Sequence, residues 1–311
     1  MRYLSRRCNG NDKVLTVWNE RYSTAAASTN STTKQRTVVE MALAAGLVEL
    51  RDVPFDAAAV WADIAAVHDP AFVEAIRTGE PRGLAQSQGF TWSPAFAEAL
   101  ARTWNGHLAA CRLALAEGMV LHPVSGAHHA GYARGSAFCT FNYLVGAARA
   151  LLEGGLERVA IVDLDAHQGD GTLQLAGPNP AIALFDIAGS RWCETRGTSR
   201  LAYHVAHDAA AYRTALKALP AFLDRVRPQL LQYQAGMDPF EGDPVGGIGG
   251  VGEAVLAERD RFVIGEVRRR GIPLVVNLAG GYVRGVSERL HVNTVRIMAA
   301  SLGLAGASAG E

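Results

Sequence analysis

Cysteine is scarce and scattered. The four cysteines, Cys8, Cys111, Cys139 and Cys193, form no C-x-x-C pair. Four such cysteines in a chain this size do not make a disulfide framework. No apolar run approaches the ~18 residues of a membrane-spanning helix, so no membrane partner is expected. Residues 1–18 are basic and polar and lack an apolar stretch, so no secretory signal is expected and the cytoplasm is the default compartment. An excess of one charge is missing as well. Lys+Arg and Asp+Glu both number 30, for a formal net charge of zero. No global basic field exists to draw in nucleic acid, and no global acidic field to draw in histone tails.

What remains is an ordinary globular composition. The chain has 311 residues, 49% of them hydrophobic and 19% charged, far from the composition of disorder. No internal repeat or long linker divides it, so a single domain over 1–311 is expected. Residues 23–37, rich in Ser, Thr and Ala, read as a surface loop or a poorly ordered excursion.

Helical patterns are expected at 38–45, 57–67, 93–117, 139–152, 209–226, 251–270 and 286–302. Ser93-Pro94 supplies an N-cap and a first-turn proline, and Gly118 a stop. Short apolar strands are expected at 119–122, 158–163, 181–185, 229–233 and 272–277. Strands alternating with amphipathic helices predict an α/β fold, a parallel sheet covered on both faces.

In such a sheet, ligands bind beyond the carboxyl ends of the strands. Four of the expected strands run there into residues that carry chemistry. The first leads to Ser125-Gly126-Ala127-His128-His129, the second to Asp163-Leu164-Asp165-Ala166-His167-Gln168-Gly169-Asp170. The third leads to Gly236-Met237-Asp238-Pro239, and the fourth to Ala279-Gly280-Gly281-Tyr282. In extended backbone, residues i and i+2 point the same way, so Asp165 and His167 can face one ion. Asp-x-His alone also suits a turn cap; the Gln-Gly-Asp-Gly that follows at a strand end favours metal. Asp238, between Gly236 and Pro239, supplies a third ligand, although an Asx-turn aspartate would look the same. Three protein ligands plus water make an open site of the catalytic type. The set is rather hard, so Fe²⁺ or Co²⁺ can stand in for Zn²⁺.

His128 and His129 fit acid–base work on an amide attacked by metal-bound water, with Asp163 and Asp170 the available carboxylates. Paired loop histidines with purely structural bonds are the bland alternative. Gly280 and Gly281 let backbone pass close to a ligand, and the Tyr282 phenol can hydrogen-bond an oxyanion or simply pack on the sheet.

At these residues the chain resembles the zinc-dependent deacetylase superfamily of histone deacetylases, acetylpolyamine amidohydrolases and acetoin-utilisation proteins. The likeness runs from His68 to Leu302 and includes His68-Asp69-Pro70, residues 89–94 and residues 138–142. Residues 163–172 are its most specific piece. The resemblance implies a three-layer α/β/α sandwich around a mostly parallel eight-stranded sheet. It implies Asp165, His167 and Asp238 as metal ligands and His129 as general base with Asp170 behind it. His128 is then backed by Asp163, and Tyr282 polarises the scissile carbonyl. Phe138 becomes one wall of an acyl-lysine channel that also passes Gly280 and Gly281. A structural K⁺ near the strand of Asp163 and Asp165 is implied too. The expected substrate is an acetylated amine or acetyl-lysine.

Three features depart from the family. The proline that often precedes the paired histidines is absent at 125–127. The stretch Asp186-Ile187-Ala188-Gly189-Ser190 lacks the family's histidine, so no motif places the second channel wall; Trp192 is named for it without a motif. The first 35 residues match poorly. Arginase-type hydrolases share the fold but bridge two metals with additional carboxylates; position 169 is Gly and 236–240 holds only Asp238. A non-catalytic binder of acylated ligands would be favoured by loss of Tyr282 or His129, and both are present.

Overall fold

The computed structural model describes residues 13–24, 30–194 and 197–307. Eight strands form one sheet: β1 Val14–Val17, β2 Val48–Arg51, β3 Met119–Leu121, β4 Val159–Asp163, β5 Ile182–Ala188, β6 Leu201–Val205, β7 Leu230–Gln234 and β8 Leu274–Asn277. Their order is β2-β1-β3-β8-β7-β4-β5-β6, and every pair is parallel. Successive strand residues feed opposite faces: Ala160 and Val162 join one apolar cluster, Val159 and Ile161 the other. Burial on both faces is why these strands read as unbroken apolar runs. Helices Lys34–Ala44, Ala209–Leu216, Leu219–Val226, Glu253–Arg269 and Val286–Ala307 contribute to the first cluster. Helices Ala57–Ala65, Pro70–Thr78, Pro94–Glu117 and Tyr143–Glu153 contribute to the second. The three-layer expectation therefore holds.

Local chemistry sets the boundaries. Ser93 Oγ accepts from Phe96 N at 3.1 Å and starts the long helix where expected. The next helix starts later than its apolar pattern, at Tyr143, because Asn142 Oδ1 caps it by accepting from Val145 N at 3.1 Å. The pattern over 209–226 is two helices, broken at Lys217 and Ala218 and restarted with Pro220 in the first turn. Strands β1, β2 and β6 are additions to the sequence reading. The reading of 23–37 as a loop is corrected for 30–37: a 3₁₀ turn at Asn30–Thr32 leads into helix Lys34–Ala44, and Asn30, Ser31, Lys34 and Gln35 are buried. Residues 25–29 lie outside the described residues. No described helix is long and apolar enough to cross a membrane.

The chain passes directly from β3 to β4, and β7 and β8 later fill the space between them. All four chemistry-bearing turns thus leave the carboxyl ends of four neighbouring strands, β3, β8, β7 and β4. A switch of strand order of this kind opens a crevice in a parallel sheet.

Candidate active site

Asp165, His167 and Asp238 converge, each offering a ligand atom within 4.8 Å of the others. His167 Nδ1 faces Asp165 Oδ1 at 3.0 Å and Asp238 Oδ2 at 2.9 Å. Its other ring nitrogen, Nε2, lies 3.2 Å from the Val245 carbonyl, which can only accept. A neutral ring donating there aims the Nδ1 lone pair at two carboxylates. That arrangement is repulsive unless a cation lies between them or the ring is protonated. Burial opposes a charge on the ring, yet the two carboxylates outweigh it and push His167 up to about 11. Asp165 and Asp238 are essentially inaccessible, at 1% and 0%. Burial and then the charge of Asp165 push Asp238 up to about 7.

Backbone amides hold the carboxylates in place. Gly280 N donates to Asp165 Oδ2 at 2.7 Å, and Ala166 N to Asp238 Oδ1 at 2.9 Å. A Cβ at Gly280 would strike both carboxylates, and one at Gly236 would stand 3.0 Å from an oxygen of each. The donors, their burial and the glycine cradle fit one divalent ion.

Each paired histidine has its own carboxylate. His128 Nδ1 lies 2.9 Å from Asp163 Oδ2, and His129 Nδ1 lies 2.6 Å from Asp170 Oδ1. Both rings are buried, with centroids 4.0 Å apart. Burial, and then the neighbouring His128 charge, lower His129 to about 4 despite Asp170, so this ring is neutral near pH 7. Burial also opposes charge on His128, but Asp163 and Asp165 push that ring up to about 10. Gly126 and Ala127 adopt φ of 91° and 93°, and the Gly126 carbonyl accepts from Tyr143 Oη at 3.2 Å and Gln234 Nε2 at 3.0 Å.

Tyr282 is half-buried, and its backbone N donates to Asp243 Oδ2 at 2.7 Å. Burial and then the charges of Asp238 and Asp165 hold its phenol well above the usual range, so it stays a donor. Phe138 lies 6.0 Å from the Tyr282 ring, centroid to centroid. Phe138 takes φ of 66°, rare for a bulky side chain, and its N donates to Gln88 O at 3.0 Å. Trp192 stacks on His129 at 4.3 Å and 11° and meets His167 edge-on at 5.2 Å. The indole therefore touches both His129 and His167. Gln168 Oε1 holds its loop by accepting from Trp192 N at 2.7 Å and Cys193 N at 2.9 Å.

Lys34 was missed in the sequence. Its buried Nζ donates to Ala279 O at 2.6 Å and Gly281 O at 3.2 Å, tying helix Lys34–Ala44 to the turn that carries Tyr282. Burial lowers it to about 8, against the pull of Asp238 and Asp165. No local signal separates this lysine from a solvated one.

Residues 28–298 match the histone deacetylase domain family. The chain is 31% identical over 241 residues to an uncharacterized protein of Picosynechococcus, spanning 74% of this chain and 78% of that one. It is 30% identical to histone deacetylase 2 of Arabidopsis thaliana, over 61% of this chain and 51% of that protein. It is 27% identical to the acetylpolyamine amidohydrolase of Mycoplana ramosa, over 55% of this chain and 52% of that protein. These matches thus span about half of the plant and Mycoplana proteins. Among solved structures, an acetylpolyamine aminohydrolase from Burkholderia pseudomallei superposes with a TM-score of 0.74 at 19% identity, covering 93% of this chain and 99% of that one. At that identity the likeness speaks for the fold.

Proposed function

The chain belongs to the histone deacetylase domain family, and from that premise we propose that it is a metal-dependent amidohydrolase removing an acetyl or related acyl group from a lysine- or polyamine-like amine. The observation that carries this reading is the convergence of a buried three-donor cluster with two His–Asp pairs and a phenol. Asp165, His167 and Asp238 would hold the ion, and bound there it would polarise the amide carbonyl and acidify water. His129 is turned by Asp170 so that its free Nε2 can accept the proton of the attacking water. His128 has Nδ1 on Asp163 and presents Nε2 to the same cleft, where it stabilises charge and shares in returning a proton to the leaving amine. Tyr282 donates to the carbonyl oxygen as it becomes an oxyanion. Phe138 and Trp192 line the approach, and Gly280 and Gly281 leave room for the acyl group. Zn²⁺ suits the donors, and Fe²⁺ or Co²⁺ would serve. A structural K⁺ belongs to the same reading. Asp186 Oδ1 is buried without a hydrogen-bond partner, and Asp186 lies beside Asp163 in the strand register; a cation would relieve both carboxylates.

Elemental analysis is expected to find about one tightly held divalent ion per chain, and the loaded protein to release acetate from an acetyl-lysine peptide. Two ions per chain, or no turnover on any acyl amide, would overturn the reading.

The approach also carries a charge preference. A groove of about 500 Å³ opens beside His129 and Asp170 and is bordered by Arg134, Ser136, Gln174 and Cys193. Asp170 is engaged by His129, whereas exposed Arg134 has no carboxylate partner among the described residues. A free guanidinium there repels a polyamine cation and attracts an acidic substituent. Two unit charges ~4 Å apart in water interact by about 1 kcal/mol, a factor of roughly five. Arg134→Glu is therefore expected to raise kcat/KM on an acetylpolyamine several-fold relative to an acetyl-lysine peptide. The shift should fall mainly on KM and shrink with added salt. An unchanged ratio of the two substrates would remove Arg134 from specificity.

A further inference from the structure

Arg259 belongs to helix Glu253–Arg269, yet it is wholly buried and set within the core rather than on the surface. Burying a guanidinium is costly unless every donor is used and its charge is balanced. Asp260 supplies the balance: Arg259 Nε donates to Asp260 Oδ1 at 2.8 Å. Asp260 is itself held, accepting from Tyr233 Oη at 2.6 Å on one oxygen and from Thr294 Oγ1 at 2.6 Å on the other. The rest of the guanidinium points elsewhere. Nη1 donates to Gly236 O at 2.6 Å and reaches Leu164 O at 3.3 Å, and Nη2 reaches Met237 Sδ at 3.8 Å.

Those acceptors are not scattered. Leu164 stands immediately before Asp165, in the turn leaving β4. Gly236 and Met237 stand immediately before Asp238, in the turn leaving β7. One guanidinium nitrogen, Nη1, therefore ties together the two turns that each carry a carboxylate of the proposed metal cluster, while Nε holds Asp260. Those carboxylates repel one another in a buried setting, and the distance between them decides whether an ion fits. We propose that Arg259, braced by Asp260, is a positioning residue that holds the turns bearing Asp165 and Asp238 at the separation a divalent ion requires. The proposal rests on the metal reading above and deepens it. It assigns ion affinity to a residue that offers the ion no ligand atom.

A buried ion pair that merely supported the core would behave differently. Its loss would lower the stability of the metal-free protein and leave ion affinity alone. Arg259→Lys separates the two roles. Lysine keeps the charge, but a single ammonium cannot hold both turns, as Nη1 does, and Asp260, as Nε does, at once. The probe is Co²⁺. Its dissociation constant is measured by chelator competition, its visible absorption reports ligand geometry, and thermal unfolding of the metal-free protein reports stability. Arg259→Lys is expected to weaken Co²⁺ binding by about 10–100-fold, the range for residues that orient metal ligands, and to alter the visible bands. Thr294→Val is the gentler variant should Arg259→Lys fail to fold. It frees one oxygen of Asp260 while leaving both turn contacts in place, and it is expected to weaken Co²⁺ binding by a smaller, measurable factor. Wild-type affinity and an unaltered spectrum in the folded variants would overturn the proposal, even if their metal-free stability falls. A wild-type chain that takes up no Co²⁺ would instead overturn the metal reading, and this inference with it.

Discussion

Alanine in place of His129 is expected to cut turnover by about 10²–10⁴-fold while the divalent ion stays bound. The ring offers nothing to the three-donor cluster; its Nδ1 is spent on Asp170 at 2.6 Å. Only Nε2 remains for the reaction. Burial favours the neutral ring, so that nitrogen is a base and not an acid. His128 cannot simply substitute. Its Nδ1 is held by Asp163 at 2.9 Å, so Asp170 does not orient it as it does His129. The substitution also removes the surface on which Trp192 stacks at 4.3 Å, so KM is expected to rise as the indole loses its support. The measurement is kcat and KM on an acetyl-lysine peptide, with metal content assayed on the same sample. Turnover within about threefold of wild type would remove His129 as the base; loss of the ion would make it part of the metal site.

The ends of the site strands were legible because two physical signals coincide there. An apolar run long enough to be buried on both faces ends abruptly in a polar residue, as at Asp163 in β4 and Asn277 in β8. Proline and glycine then mark the turns. The parity argument for Asp165 and His167 assumes extended backbone, but β4 ends at Asp163 and the chain bends at 165–166; the two side chains meet because His167 N donates to Asp165 Oδ1 at 3.0 Å, and Asp238 Oδ2 reaches the same imidazole at 2.9 Å. Strand β6 had no such signal, since every one of its residues is only partly buried. Strands β1 and β2 are four residues each, too short to show a period beside the helical patterns that follow.

Lys34 and Arg259 escaped for a different reason. A buried cation is recognised by its acceptors, and the backbone carbonyls that hold these two are not local: 245 residues for Lys34 to Ala279, 95 and 23 for Arg259 to Leu164 and Gly236. Locally, both sit in helices whose exposed faces are charged anyway. No sequence signal placed the second channel wall, and Trp192 was named without one. Its loop has no regular period, and its place over His129 depends on the Gln168 side chain accepting from two successive amides.

Phenylalanine in place of Tyr282 is expected to lower kcat by about 10²–10³-fold, the range for loss of one oxyanion donor, with KM and metal content little changed. The phenol stays protonated because burial and the charges of Asp238 and Asp165 resist its ionisation. It is therefore a donor near neutral pH. A hydrogen bond to an oxygen that gains charge in the transition state is stronger there than in the ground state, so its loss falls on kcat. Phenylalanine keeps the ring. The contact with Phe138 at 6.0 Å and the packing over Lys34, whose Nζ lies 5.7 Å from the ring centroid, should persist. The backbone bond from Tyr282 N to Asp243 does not involve the side chain and should hold the turn. A protein that only bound acylated ligands would respond in the opposite way, with no turnover to lose and affinity the one quantity free to change. Steady-state kinetics of wild type and Tyr282→Phe on an acetyl-lysine peptide and an acetylpolyamine separate the two cases. An unchanged kcat on the better substrate would take Tyr282 out of the mechanism. A large rise in KM at constant kcat would instead make the phenol a ground-state contact, which holds the amide but does nothing for its hydrolysis.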